Sequence, residues 1–169
     1  DNVKVYDPIP ADYSANVRGS GTNRTASTTG SIGVVDDFPS HYGSAIDSRS
    51  TQSDALHYNV DASGSANGYG TRDFTFECWF YGSQDPNSWG ILMKHATNGS
   101  WANGITLCSK HGNNRKFNIY THDGSSHVQT VSPHVWPIGQ WHHVVAERYN
   151  GQLTLYVNGV AEATRADTR

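Results

Sequence analysis

The most constraining feature of the sequence is the run from Trp141 to Thr164. Two stretches of alternating apolar and polar residues are cut there by Asn150-Gly151 and again by Asn158-Gly159. Asn-Gly between alternating segments is a strong signal for a two-residue hairpin, because both residues tolerate the positive φ that such a turn demands. His142–Arg148 and Gln152–Val157 are therefore expected to pair, with Val160–Thr164 as the next strand. Leu153, Leu155 and Val157 share one face and Tyr156 takes the other, so Val144 and Ala146 can meet the leucines across the hairpin. The same cadence runs upstream. Phe74 to Phe80 alternates strictly, with Phe74, Phe76, Cys78 and Phe80 on one face and Thr75, Glu77 and Trp79 on the other. Leu56–Val60, Ile91–Lys94, Ile105–Ser109, Lys116–Thr121 and His127–Val131 are further strand candidates. Turns at Asp85-Pro86-Asn87, Asn103-Gly104 and Asp123-Gly124 separate them. Strands at this spacing, with no helical stretch between them, make an all-β fold: an antiparallel sandwich or barrel.

Composition excludes several alternatives. The chain holds 18 Ser, 14 Thr, 13 Asn and 17 Gly among 169 residues. These residues suit turns and strand surfaces and are poor in helix interiors, which excludes a helical bundle. The formal net charge of −3 leaves no basic surplus to hold a nucleic-acid backbone or an anionic membrane. No apolar run approaches the roughly 20 residues of a membrane-crossing helix. Cys78 and Cys108 are too few for a disulfide framework and have no partners at zinc-ligand spacing. Adjacent His142 and His143 point to opposite faces of a strand and cannot chelate one ion.

Residues 1–50 read differently. Asp7-Pro8-Ile9-Pro10 is stiff and extended, and Gly19 to Gly33 is a polar Gly/Ser/Thr tract. Such a segment buries too little apolar surface to fold alone, so it is expected as an extended arm or as loops lying on a domain formed by residues 51–169. Ile32–Val35 and Ala45–Ile46 are its two short strand candidates.

Two stretches carry a family resemblance: Asp73-Phe74-Thr75-Phe76-Glu77-Cys78-Trp79, and Trp141-His142-His143-Val144-Val145-Ala146 followed by Leu153-Thr154-Leu155-Tyr156-Val157-Asn158-Gly159. Together with Tyr42-Gly43-Ser44-Ala45 and Leu56, they resemble the laminin-G-like and pentraxin-like branch of the concanavalin A-like lectin/glucanase superfamily. The resemblance implies an antiparallel jelly-roll β-sandwich. Members typically continue through further strands after this hairpin. The closing strands are accordingly expected beyond Arg169, or from residues 1–50 or neighbouring subunits, and an uncovered edge would favour an assembly. In the pentraxin-like pattern the partner cysteine lies on the hairpin strand, where Val144 and Val145 stand here. The resemblance thus implies two free thiols, with Cys78 buried.

The chemistry open to such a fold is limited by the residues present. Glycan cleavage with retention needs two carboxyls about 5 Å apart, which the superfamily supplies from an E-x-D-x-x-E strand. Only Glu77, Glu147 and Glu162 occur here, without that cluster, and no G-x-S-x-G elbow is present. No enzymatic activity is expected. Calcium is a candidate ligand through Asp85, Asn87 and Asp123, all of which are also ordinary turn formers. Sugar binding uses aromatic faces with amides, carboxylates and imidazoles beside them. Trp101, between two Asn-Gly pairs, forms one candidate wall with His95 and Asn98. Tyr120, His122 and Asp123 form another, provided that both loops reach one rim. Trp89, Trp136, Trp141 and Tyr156 are expected to serve packing. These expectations describe a non-catalytic adhesion or structural module; the Ser/Thr/Asn/Gly-rich style, the single Met and the lack of a disulfide framework resemble a bacteriophage virion protein, which implies a capsid-decorating, fibre or tail element on a virion surface. Its partners would be itself, other virion proteins or surface glycans. A secreted lectin-like module of a larger extracellular protein is the alternative, and a glycan-degrading enzyme the third.

Overall fold

The computed structural model describes residues 26–29, 33–35, 45–47, 55–58, 72–85, 90–96, 103–110 and 114–168. Two compact units divide the chain, Asp1–Ser65 and Ala66–Arg169. In the first, β1 (Ala26–Thr29) pairs antiparallel with β4 (Ala55–Tyr58), and β2 (Gly33–Val35) pairs with β3 (Ala45–Asp47). β1 lies inside the polar tract that sequence reasoning assigned to an arm or loops. Ladder hydrogen bonds come from the backbone, so Ser and Thr suffice for a short two-stranded ribbon.

The second unit contains eight strands: β5 (Phe74–Tyr81), β6 (Ile91–Ala96), β7 (Asn103–Cys108), β8 (Asn118–Asp123), β9 (His127–Val131), β10 (Trp141–Tyr149), β11 (Gln152–Val157) and β12 (Val160–Ala166). They form two antiparallel sheets, ordered β12-β11-β10-β5 and β6-β7-β8-β9. The described residues include no helix. The fold is an all-β sandwich of the concanavalin A-like kind.

Alternation positions each inner residue. On β10, His142, Val144, Ala146 and Arg148 are buried, while Trp141, His143, Val145 and Glu147 face outward. Opposite them lie Leu153 and Leu155 of β11 and Phe74 and Phe76 of β5, in register with Arg148 and Ala146. The second sheet contributes Ile105, Leu107, Ile119 and Val128, with Phe117 and Trp136 completing one core. Trp136 packs as expected: its indole N–H donates to the Ser109 carbonyl, and its ring meets Phe117 and Phe80. Gly82 is required beside it, because a Cβ there would lie 2.5 Å from the indole. Asn150-Gly151 and Asn158-Gly159 have φ of 47° and 72°, and of 52° and 80°, the paired positive values of the expected hairpin turns.

Both thiols are free, and Val144 sits directly opposite Cys78 in the register, so Cys78 has no sulfur partner there. The degree of burial differs from expectation. Cys78 is half-buried, whereas Cys108 is fully enclosed. β7 is an inner strand of its sheet, whereas β5 stands at the edge of its own among the described strands.

Candidate functional site

The outward face of the β6–β9 sheet is set by two cross-strand rows. One row aligns Gly104, His122 and His127; the next aligns Thr106, Tyr120 and Gln129. Gly104, Thr106, Tyr120, His122 and His127 line a shallow depression of about 160 Å³. That is well below the roughly 300–1,000 Å³ of an enclosed small-molecule pocket, so the site is an open platform. The rings of His122 and His127 are nearly parallel at 6.0 Å, and the Tyr120 ring is tilted against His127 at 5.9 Å.

Hydrogen bonds fix the polar groups. The Gly124 N–H donates to Nδ1 of His122 at 3.0 Å. Nδ1 of the neutral ring therefore holds the lone pair and Nε2 the proton. Gln129 Nε2 donates to the Tyr120 hydroxyl oxygen. Burial, with a smaller contribution from the nearby Cys108, pushes the Tyr120 phenol up to about 12, so it stays un-ionised.

Asp123 ends β8 on the opposite side of the strand from His122. Its Oδ1 accepts the backbone N–H groups of Ser125 and Ser126 at 2.9 and 2.8 Å, and both serine hydroxyls also reach the carboxylate. These bonds, the backbone N–H of Ser125 foremost, hold the carboxyl far below the usual carboxylate range. Asp123 therefore closes the β8–β9 turn. Asp85 faces Lys110 Nζ at 3.4 Å and Arg115 Nε at 3.9 Å, cations that compete with any metal for the carboxylate. Among the described residues, no group of three or more His, Cys, Asp or Glu is arranged to hold an ion.

Of the residues anticipated from sequence, Tyr120 and His122 meet in this depression and Asp123 supports its turn. His95 pairs with Ile105 in the backbone register, one position along β6 from the partner of Thr106. Its side chain, and Asn87, Trp89, Asn98 and Trp101, lie outside the described residues. Sequence reasoning missed Gly104, Thr106 and His127. The signal was present: a tight turn after Asp123 brings His127 opposite His122.

The other outward face, on β5 and β10, carries an aromatic row. Trp79 is 37 % exposed and stacks on His143 at 4.8 Å, and His143 Nε2 lies 3.0 Å from Glu77 Oε1. Trp141 is half-buried against Tyr81 at 5.4 Å, and the Tyr156 hydroxyl donates to Glu147 at 3.2 Å. Glu162 meets Nδ1 of His134 at 2.8 Å. The three glutamates are thus held by separate partners.

The two antiparallel sheets place the chain among modules of lectin-like fold. The model of a laminin G family, described as the concanavalin A-like lectin/glucanases superfamily, matches residues 54–169, and the chain belongs to that family. No curated protein matches the chain. Among the described residues, no helix is long and apolar enough to cross a membrane.

Proposed function

We propose that the chain is a non-catalytic glycan-binding attachment module, displayed on a virion surface or within an extracellular protein. The observation that supports this most is the open depression of Tyr120, His122 and His127 over Gly104, where rings and ring nitrogens converge on a flat surface. Such an arrangement suits stacking against sugar C–H faces together with hydrogen bonds to hydroxyls. The absence of a carboxyl among its lining residues argues for binding rather than hydrolysis. Trp101 and Asn98 are proposed to extend the platform from the 97–102 segment. A glycan array probed with a multivalent display of the chain tests the reading. Selective binding that drops on His127→Ala supports it, and an array blank at every saccharide overturns it. Release of reducing sugar from a bound glycan would return the enzymatic alternative.

A second reading rests on the other sheet. The exposed Trp79 beside Tyr81 and His143 favours contact between copies of the chain in a larger assembly. The two readings are compatible, because they use opposite faces of the sandwich.

A further inference from the structure

Among the described residues, the histidines with a bonded ring nitrogen divide by the direction of that bond. His134 Nδ1 donates to Glu162 at 2.8 Å, His143 Nε2 to Glu77 at 3.0 Å and His142 Nε2 to the Pro137 carbonyl at 3.0 Å. In each case the bonded nitrogen already carries its proton, so a second proton on the ring leaves the bond in place. His122 is reversed. Its Nδ1 accepts the Gly124 N–H at 3.0 Å, and a proton added there sets two donors against each other. Imidazole is the side chain that ordinarily gains a proton between pH 8 and pH 5.

The groups around His122 do not offset that change. On β8, Tyr120 stays a neutral phenol, and the Ser125 and Ser126 amides hold the Asp123 carboxyl far below the usual carboxylate range. Neither changes charge between pH 8 and pH 5. On β7, Gly104 and Thr106 are uncharged, and β6 brings Lys94 to the register position of Thr106. On β9, Gln129 bonds Tyr120, and the ring of His127 lies parallel to His122 at 6.0 Å. Two imidazolium rings at that spacing repel. The Gly124 amide belongs to the turn that sets His127 opposite His122, so its release acts on the pairing of the two rings.

We propose that the β8–β9 turn is an acid-sensitive switch for the depression: a proton on His122 Nδ1 releases the Gly124 amide, and the rings of His122 and His127 part. The depression is assembled at pH 8 and opened at pH 5. Its effect on binding rests on the glycan-binding reading, whose site the switch regulates. The other outward face keeps its bond in acid, because protonated His143 still donates to Glu77.

The test is ¹⁵N NMR of the full chain, with backbone amides and histidine rings followed from pH 8 to pH 5. His122 Nδ1 should be a bare acceptor at pH 8, and the Gly124 amide signal should move with the same midpoint as protonation of that nitrogen. Contacts between the His122 and His127 rings should be lost over the same step. His122→Asn sets a carbonyl oxygen near the Nδ1 position, which accepts the Gly124 N–H and takes up no proton. The Gly124 signal of this variant should stay constant over the range. Thermal melting checks that it is folded; if it is not, the coincidence of Gly124 and His122 in the unaltered chain decides alone. A Gly124 amide indifferent to pH, or one that still moves in folded His122→Asn, overturns the switch. The glycan array, run with the multivalent display at both pH values, reads the regulation. Signals should be about fivefold weaker at pH 5, the worth of one hydrogen bond. Equal signals overturn the regulation and leave the glycan-binding reading standing. An array blank at both pH values overturns that reading, and the Gly124 titration then decides the switch by itself.

Discussion

Arg148 stands where the alternation of β10 places a core residue, and it is buried with Asp167 at 3.3 Å. Its Nε and Nη2 donate to the Arg72 carbonyl, and the guanidinium lies 4.8 Å over Phe74. One side chain thus ties the start of β5 to the residue after β12. Removing one partner strands the other charge in the core, so Asp167→Ala should cost about 3–5 kcal/mol in urea unfolding. The double change R148M/D167L should cost less than Asp167→Ala alone, because no unpaired charge is left. The thiols allow a second prediction. Burial raises Cys78 to about 11, with Glu77 adding to the shift, and burial raises Cys108 to about 12, both from an ordinary 9.0. A group whose folded pKa is raised contributes stability that is whole below pH 9 and is lost as pH climbs towards 11–12. The fall in unfolding free energy between pH 9 and 11 should therefore be shallower in C78A/C108A than in the unaltered chain. At pH 8 a thiol reagent should react slowly with the folded protein and with both cysteines in denaturant.

Turns decide the elements. Gly159 has φ of 80°, and a methyl group added to its Cα would meet nothing within 4 Å, so Gly159→Ala carries only the left-handed backbone cost, about 1–2 kcal/mol. Gly82→Ala meets the Trp136 ring instead, and overpacking of about 1–3 kcal/mol should come with a change in tryptophan fluorescence that Gly159→Ala lacks. Asn158 adds a further role, since its N–H and Oδ1 bond the His143 carbonyl and amide and lengthen the β10 ladder. The two Asn-Gly hairpins were legible because each turn is specified by the residues that form it. The strand β1 was not, since its pairing with β4 joins Ala26 to Tyr58, far along the chain, through backbone groups alone. In the β8–β9 hairpin, Asp123→Ala should loosen the turn and disturb the histidine ring signals of both His122 and His127. An unchanged His127 spectrum would detach the turn from the platform.

At the scale of the whole molecule, the sandwich offers one outward face with a ring-lined depression and another with an aromatic row in which Trp79 is exposed. If the depression binds a saccharide as proposed, a single open site would hold it weakly, and useful attachment would call for several copies. A multivalent display should bind about 10²–10⁴ times more tightly than the single chain in surface-plasmon measurements. If the Trp79 face joins copies, equilibrium sedimentation should show an oligomer that Trp79→Ala lightens without lowering the melting temperature. An unaltered chain that sediments as a monomer across the concentration range would remove the assembly reading and leave the glycan platform untouched.

The sequence by itself located the strands of the second unit, except that Asn103-Gly104, read as a turn, opens β7; it also set the hairpins at Asn150-Gly151 and Asn158-Gly159 and the inner and outer faces of β5, β10 and β11. All of these follow from period-two alternation and from turn residues that act locally. Tertiary structure completed the candidate site, of which the sequence had offered Tyr120 and His122. Gly104, Thr106, Tyr120, His122 and His127 come from three strands whose side chains meet only once the β6–β9 sheet has set its register. It also decided that the Asp123 carboxylate is engaged by Ser125 and Ser126 and that Arg148 is a buried tie. Which partner occupies a polar group depends on contacts far apart in the chain, and local pattern carries no record of them.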